Sequence, residues 1–158
     1  MPISKDEFRS ALSKFASGVT VVTLKDKDGT PHGITVSAFS SVSLEPPLVS
    51  VCIDNDAGSH YAFRESERFV VNILSDKQSE HSNQFASRVP DKFINIHHHK
   101  GLEDIPVLKD ALVNLECRLV NDFVVGDHTI FIGEIERTHI NDGKPLVYYQ
   151  GNYKKIEY

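Results

Sequence analysis

A run of small and hydroxyl-bearing residues between Gly33 and Ser41 is the first part of the chain that could bind a ligand. The run follows a predicted strand, so its backbone N–H groups and hydroxyls can approach a bound group without obstruction by bulky side chains. Donors of this kind suit a phosphate or the polar edge of an isoalloxazine ring. An ordinary strand end rich in serine and threonine would have the same composition, so the run alone leaves both interpretations open.

Two further groupings could contact phosphates. Ser59 directly precedes a predicted helix, and the free N–H groups of a helix N-terminus favour an anion. Arg88 and Lys92 follow the next predicted helix and offer two positive charges. The alternatives are a plain helix cap at Ser59 and a solvated surface that carries the two cations.

Histidines at two places in the chain could do chemistry. His128 follows Gly126 and Asp127 between two long predicted strands, where an imidazole can donate a hydrogen bond to a nicotinamide or flavin carbonyl. Asp127 could orient that ring or only serve the turn. The triplet His97-His98-His99 predicts no metal site, because adjacent side chains of an extended chain point apart and no cysteine or paired carboxylate completes a ligand set.

Composition excludes several classes of protein. The chain has 17 Lys and Arg against 22 Asp and Glu, a formal net charge of -5, whereas nucleic-acid-binding proteins carry a basic surplus. The sequence contains no G-x-G-x-x-G, G-x-x-x-x-G-K-[ST] or G-x-S-x-G motif, so any nucleotide is bound without a Rossmann or P-loop device. The N-terminus is polar and no run of about 18 apolar residues occurs. We therefore expect a cytoplasmic protein that binds neither nucleic acid nor membrane.

The two cysteines predict no disulfide. Cys52 and Cys117 both lie in apolar runs, and no Cys-x-x-Cys spacing is present. Buried, reduced thiols are the expected state of such residues in a cytoplasmic protein.

The pattern of elements predicts a mainly β fold. A capping box at Ser4 to Glu7 and apolar residues at helical spacing predict a helix over residues 5–16 that ends at Gly18. Further helices are expected over 60–67 and 77–88, and strands over 19–24, 33–38, 48–53, 69–74, 111–124, 128–139 and 146–149. Strands alternate poorly with helices, which disfavours a doubly wound sheet. The length of 158 residues suits one domain, and a closed or split antiparallel β-barrel over residues 1–158 fits best.

Several blocks in a fixed order form a more specific pattern: Phe15–Thr23, His32–Leu44, Pro46–Val49, Arg68–Leu74, Leu115–Cys117 and Gly126–Glu134. The pattern resembles the short-chain flavin reductases, the reductase components of two-component flavin-dependent monooxygenases. The resemblance runs from about Phe8 to Tyr153, nearly the whole chain. Two segments depart from the family: the loop Asp54–Gly58 is acidic where the family has serine and basic residues, and the triplet His97–His99 is unusual.

The resemblance implies an FMN-binding split β-barrel that forms a homodimer. It implies an NAD(P)H:flavin oxidoreductase that transfers hydride from NADH or NADPH to FMN or FAD, and that supplies reduced flavin to a partner monooxygenase. His128 would lie beside the flavin, where the nicotinamide stacks, with Asp127 next to it. The implied flavin contacts are Thr35, Val36, Ser37, Ala38, Ser40, Ser41, Cys52, Ile53, Asp54, Ser59, Phe85, Ala86, Arg88 and Lys92.

Hydride transfer needs alignment of two cofactors rather than a general base. Backbone N–H groups near the flavin N1–O2 edge would stabilise the reduced ring, and His128 is the residue most suited to a kinetic role. Two alternatives remain on the sequence alone. One is a non-enzymatic FMN-binding electron carrier or flavin store, and the other is a split-barrel oxidase that acts on a pyridoxine phosphate.

Overall fold

The computed structural model describes residues 2–158 and is built mainly from antiparallel strands. The strands in chain order are β1 (Ser17–Gly18), β2 (Thr20–Lys25), β3 (Pro31–Val36), β4 (Phe39–Ser43), β5 (Leu48–Asp54), β6 (Arg68–Ile73), β7 (His98–Lys100), β8 (Pro106–Leu108), β9 (Val113–Val125), β10 (His128–Ile140), β11 (Leu146–Tyr149) and β12 (Asn152–Lys155). The helices are α1 (Lys5–Leu12), α2 (His60–Glu65) and α3 (Ser79–Ala86), with a 3-10 turn at Leu102–Asp104. No helix among residues 2–158 is long and apolar enough to cross a membrane.

Seven strands form one antiparallel sheet in the order β3-β2-β6-β9-β10-β5-β4. Its two edges, β3 and β4, follow each other in the chain and are joined by Ser37 and Ala38, but they do not pair with each other. One apolar cluster joins Val36 near the first edge to Val51 near the second, so the sheet curls around its own core. The result is the antiparallel split barrel that the sequence predicts.

Aromatic rings fill the barrel. Phe63 of α2 stacks on Phe131 of β10 with ring centroids 4.8 Å apart, and Phe69 of β6 lies 6.1 Å from Phe63. All three side chains are fully buried, and each contributes roughly 1.5–3 kcal/mol relative to exposure. Strand β10 is thereby fixed from inside the barrel by its neighbours.

The long hairpin of β9 and β10 confirms the two predicted strands at 111–124 and 128–139. Val125 pairs with His128, so only two residues, Gly126 and Asp127, form the turn. Gly126 has φ +60°, a left-handed conformation that glycine adopts without strain. On its other side β10 pairs with β5, and His128 lies opposite Asp54. The hairpin thus brings its turn to the end of β5.

The first helix is shorter than predicted. Ser4 caps it as expected, accepting from the Glu7 N–H at 3.1 Å, but α1 ends at Leu12 rather than at residue 16. The chain after it extends because Ser17 and Gly18 pair with β11, and this pairing overrides the helical spacing of Phe15. Helix α1 buries none of its side chains in the described structure.

Five strands, β1, β4, β7, β8 and β12, were not predicted, and one predicted strand was displaced. The predicted strand 33–38 lies at 31–36, and the serine-rich run after it forms β4 instead of an irregular strand end. Strand β12 is polar and short, so it lacks the apolar alternation that identifies a strand. Each pairs with the strand next to it in the chain, β4 with β5 and β12 with β11, so the pairing rather than the composition makes them strands.

Candidate functional site

The junction of β3 and β4 lies beside the end of β5 and the start of β10. The Cys52 N–H donates to the Ala38 carbonyl at 3.0 Å, and Asp54 pairs with His128 two residues further along β5. Three of the predicted segments, residues 35–41, residues 52–54 and the Gly126–His128 turn, are therefore neighbours in space. Cys52 is a half-buried free thiol rather than a fully buried one, whereas Cys117 is buried as predicted.

The junction presents hydrogen-bond donors that no protein group uses. Among residues 2–158, no acceptor faces the main-chain N–H of Ser37 or Ala38, and none faces the Ser41 hydroxyl. The neighbouring Ser40 hydroxyl donates to the Ser41 carbonyl at 2.9 Å. All four residues are exposed. Accessible donors without bulky side chains fit a flavin ring edge or a phosphate, so the residues present suit the cofactor that the sequence resemblance implies.

Other residues of the predicted set face inward. Val36 and Ile53 are 5% and 1% exposed, and the Val36 carbonyl already accepts from the Thr20 hydroxyl at 2.6 Å. The Thr35 hydroxyl donates to the Ser82 carbonyl at 2.6 Å and so fastens β3 to α3. That bond occupies the one proton of the Thr35 hydroxyl, and its oxygen can still accept.

Helix α3 is packed directly onto β3. The Phe85 ring is fully buried, and a Cβ atom at Gly33 would lie 2.4 Å from Phe85 Cε1, so this crossing requires glycine. The Phe85 ring is therefore out of reach of a ligand, whereas Ala86, the last residue of α3, is exposed.

The two candidate phosphate cations differ. Lys92 Nζ donates to the Phe85 carbonyl at 3.0 Å and to the Gly33 carbonyl at 3.2 Å, and burial lowers its pKa. A freely solvated surface is therefore the wrong description of Lys92, whose ammonium keeps one proton for a ligand. Arg88 is exposed and forms no ion pair within residues 2–158.

Ser59 does not act as the predicted side-chain cap. It precedes α2, but its side chain makes no capping hydrogen bond. The reason is local: its backbone is already in the right-handed helical region (φ −87°, ψ −5°), whereas a capping residue is normally extended. In the preceding loop the Asp56 N–H donates to Asp54 Oδ1 at 2.8 Å, and both carboxylates are exposed. Their charge disfavours an anion near Ser59.

His128 and Asp127 form a hydrogen-bonded pair at the turn. The distance from His128 Nδ1 to Asp127 Oδ1 is 2.7 Å, and this bond holds the pKa of Asp127 below its usual value. Within residues 2–158 no protein group contacts His128 Nε2. The pair fits an orienting role for Asp127, because one ring nitrogen is fixed while the other faces outward.

The histidine triplet lies elsewhere. His97 and His99 line a cavity of about 1010 Å³ together with His81 and His139, and the cavity includes none of the predicted flavin contacts. His98 Nδ1 lies 3.0 Å from the Ile96 carbonyl. In the part of the chain that the structure describes, no three histidine, cysteine or carboxylate residues are placed to hold a metal ion.

Two residues outside the predicted set have extensive contacts. Asn55 bridges the loop after β5 to the Gly126–Asp127 turn, and the buried Glu116 binds Arg137 and His139. Neither residue was singled out by its type or spacing, although Glu116 lies within the Leu115–Cys117 block. The acidic departure at Asp54–Gly58 was the nearest sequence signal for Asn55, and Glu116 lies between the apolar residues Leu115 and Cys117 of β9.

Comparison with known proteins gives a consistent family. Residues 12–157 match a family described as flavin reductase like domain. A reductase component of 4-nitrophenol 4-monooxygenase/4-nitrocatechol 2-monooxygenase from Rhodococcus opacus is 40% identical over 153 residues, which cover 96% of this chain and 81% of that protein. An NADH-dependent flavin reductase from a Rhodococcus species is 40% identical over 154 residues, covering 94% and 85%.

A solved structure agrees with these relatives. The NADH:FAD oxidoreductase SgcE6 of Streptomyces globisporus C-1027, in complex with NAD and FAD fragments, superposes with a TM-score of 0.93. It is 31% identical, and the match covers 99% of this chain and 95% of that one.

Proposed function

The chain belongs to the flavin reductase-like domain family, and on that premise we propose that it is an NADH-dependent flavin reductase. It transfers hydride from NADH to FMN or FAD and supplies the reduced flavin to a partner flavin-dependent monooxygenase. The observation that carries this proposal is the set of unused donors at the β3–β4 junction, which contacts Cys52 of β5 two residues before Asp54, the pairing partner of His128.

The protein's own groups bind and align. The free N–H groups of Ser37 and Ala38 are suited to the polar edge of the flavin ring, and the serine hydroxyls of β4 are suited to its phosphate. When bound, the flavin supplies the hydride-accepting atom and the nicotinamide supplies the hydride. With the Nδ1 proton of His128 donated to the Asp127 carboxylate, Nε2 accepts a hydrogen bond from the amide N–H of the nicotinamide carboxamide and fixes its orientation. No side chain has to remove a proton, so alignment is the chain's main contribution to the rate.

Negative charge around the site favours NADH over NADPH. Asp54, Asp56 and Asp127 are exposed at the mouth of the site, where the extra phosphate of NADPH would approach them. Like charges repel there even in water, although salt screens the effect. The names of the relatives agree with an NADH preference.

A steady-state assay tests the proposed reaction. Purified protein with FMN, FAD or riboflavin is expected to oxidise NADH, and to oxidise NADPH more slowly. An electron carrier or flavin store would bind flavin without turning over free flavin. Absence of nicotinamide oxidation with every flavin would reject the reductase and favour the carrier.

The serine hydroxyls of β4 give a direct prediction for flavin binding. Replacing both Ser40 and Ser41 by alanine should weaken flavin affinity by roughly 1–3 kcal/mol, because hydrogen bonds to a phosphate would be lost. The fold should persist, since both side chains are exposed. Fluorescence titration of flavin measures the change, with Ser10→Ala on α1 as the control. Unchanged affinity in the double variant would place the phosphate at Arg88 and Lys92 instead.

We propose in addition that the protein is a homodimer. Helix α1 leaves its apolar side chains uncovered: Phe8 is 54% exposed, Leu12 55% and the following Phe15 80%. Apolar side chains at the tip of β9 are exposed as well, including Val124 and Val125. A second copy of the chain is the simplest cover for these surfaces, because small proteins commonly close their apolar patches by twofold symmetry.

Light scattering tests the dimer. The unmodified protein is expected to have twice the mass of one chain at micromolar concentration. Replacing Phe8 and Leu12 together by glutamate should shift the mass toward the monomer, because buried charge opposes association. A glutamate at Ser10, on the opposite face of α1, is the control. A monomeric mass for the active unmodified protein would contradict the dimer.

The remaining proposals concern organisation and location. The family match over residues 12–157 supports a single flavin reductase domain across residues 1–158. A cytoplasmic location is supported by the free thiols of Cys52 and Cys117 and by the use of NADH as reductant.

A further inference from the structure

Asn55, in the loop between β5 and α2, holds the turn of the long hairpin. Its main-chain N–H donates to the Asp127 carbonyl at 2.9 Å, and its side-chain Nδ2 lies 3.5 Å from the Gly126 carbonyl. A third contact comes from Thr129 Oγ1, which donates to Asn55 Oδ1 at 2.7 Å. One loop residue therefore contacts both residues of the turn and the first inward-facing side chain after it.

The Thr129 hydroxyl extends this contact into the core. Thr129 is fully buried and lies 2.9 Å from His60 Nε2. A hydroxyl has one proton, and since Thr129 gives it to Asn55, the bond from His60 must be donated by Nε2. A chain of hydrogen bonds thus runs from α2 through β10 to the loop after β5. Its inner end is anchored, because the His60 ring packs 5.8 Å from the ring of Phe131.

This chain of bonds determines where His128 points. Thr129 and His128 are adjacent in β10 and so face opposite sides of the sheet. Asp127, the hydrogen-bond partner of His128, has a side chain that is 92% exposed, but its main-chain carbonyl is held by Asn55. We propose that Asn55 is a positioning residue that fixes the direction of His128 Nε2, acting through the turn and through Thr129.

The proposal rests on the proposed function, because it takes His128 as the residue that aligns the nicotinamide. The rate of hydride transfer depends steeply on the placement of the reacting rings. If the Gly126–Asp127 turn can shift, the rate should therefore fall while the flavin affinity stays nearly the same. A residue that served stability alone would change the unfolding midpoint and leave the kinetics of NADH oxidation as they were.

Two substitutions test the positioning role. Asn55→Ala removes the side-chain contacts and keeps the main-chain bond, and Thr129→Val removes the hydroxyl at nearly constant volume. Each is expected to lower kcat/KM for NADH by about three- to ten-fold, with flavin affinity changed less than about two-fold. Thr129→Ser keeps the hydroxyl and should restore the rate. Thr138→Val, exposed near the far end of β10, is the control and should have normal kinetics.

A double-mutant cycle identifies the residue through which Asn55 acts. In a His128→Ala background, Asn55→Ala should cause no further loss in kcat/KM, because the group that it positions is gone. The proposal would be overturned if the loss in kcat/KM of the double variant equalled the product of the two single losses. It would also be overturned if Asn55→Ala and Thr129→Val had normal NADH kinetics while His128→Ala was slow. Normal kinetics in His128→Ala itself would instead reject the proposed role of His128. If Asn55→Ala does not fold, Thr129→Val takes its place in the cycle with His128→Ala, and Thr129→Ser in the same background is its control.

Discussion

Replacing His128 by alanine is expected to lower kcat/KM for NADH by about ten- to a hundred-fold, while flavin affinity stays near that of the unmodified protein. The imidazole is partly exposed at the turn, its Nδ1 is held by Asp127 at 2.7 Å, and its Nε2 faces outward. One positioning hydrogen bond to a nicotinamide contributes roughly 1.5–3 kcal/mol. Steady-state kinetics at saturating flavin and varied NADH measure the loss.

Two variants sharpen this prediction. His128→Gln keeps a hydrogen-bond acceptor, its amide oxygen, near the position of Nε2 and should recover part of the activity. His98→Ala removes an exposed histidine outside the site and should have normal kinetics. Normal NADH kinetics in His128→Ala, or a loss of flavin affinity instead, would show that His128 only closes the turn with Asp127.

Replacing Glu116 by glutamine is expected to destabilise the fold by about 3 kcal/mol at neutral pH. The Glu116 side chain is 2% exposed, and its oxygens accept from the Arg137 guanidinium, from His139 Nε2 at 2.9 Å and from the Leu102 N–H at 2.7 Å. Burial raises the pKa of Glu116, but these hydrogen bonds outweigh it and hold the pKa at about 2. The carboxylate thereby fastens the loop before β8 to β9 and β10.

The same contacts predict a pH dependence. The folded-state pKa of Glu116 lies below its ordinary value of 4.5, so the stabilisation is complete above pH 4.5 and is lost as the pH falls toward about 2. Chemical denaturation at fixed protein concentration measures the free energy of unfolding. The gap in this free energy between Glu116→Gln and the unmodified protein should shrink as the pH falls from 4.5 toward about 2. Glu134→Gln, which breaks a more exposed pair with Arg118, is the control and should cost less than about 1 kcal/mol. Equal losses in both variants, or a difference that does not change with pH, would contradict this role of Glu116.

The fold was predictable where local pattern and tertiary pairing agree. The hairpin of β9 and β10 has long β-rich runs around a glycine turn, and β11 was predicted with the bounds that it has in the structure. Pattern and pairing disagree after α1. The helical spacing of Phe15 predicts that the helix continues, but the chain there is extended because β1 pairs with β11. The serine-rich β4 forms because the neighbouring β5 offers it a free edge, which composition does not reveal.

The fold brings several segments of the candidate site together, but their side-chain contacts were not predictable from the sequence. The sequence singled out Lys92 as a phosphate cation, yet its ammonium binds two carbonyls, one of which belongs to Gly33, 59 residues away. Glu116 meets Arg137 only because the register of β9 and β10 shifts at a bulge. Asn55 reaches Gly126 across 71 residues. Contacts of this kind depend on the folded geometry, and no local spacing indicates them.

Anaerobic rapid mixing of the protein with oxidised flavin and NADH is the measurement that bears most directly on flavin reduction. The proposed reaction predicts that the visible absorbance of the flavin bleaches at a rate set by the protein concentration, with one flavin reduced for each NADH oxidised. Readmitted oxygen should restore the oxidised flavin. Flavin that stays oxidised, or that bleaches no faster than in the absence of protein, would contradict a flavin reductase.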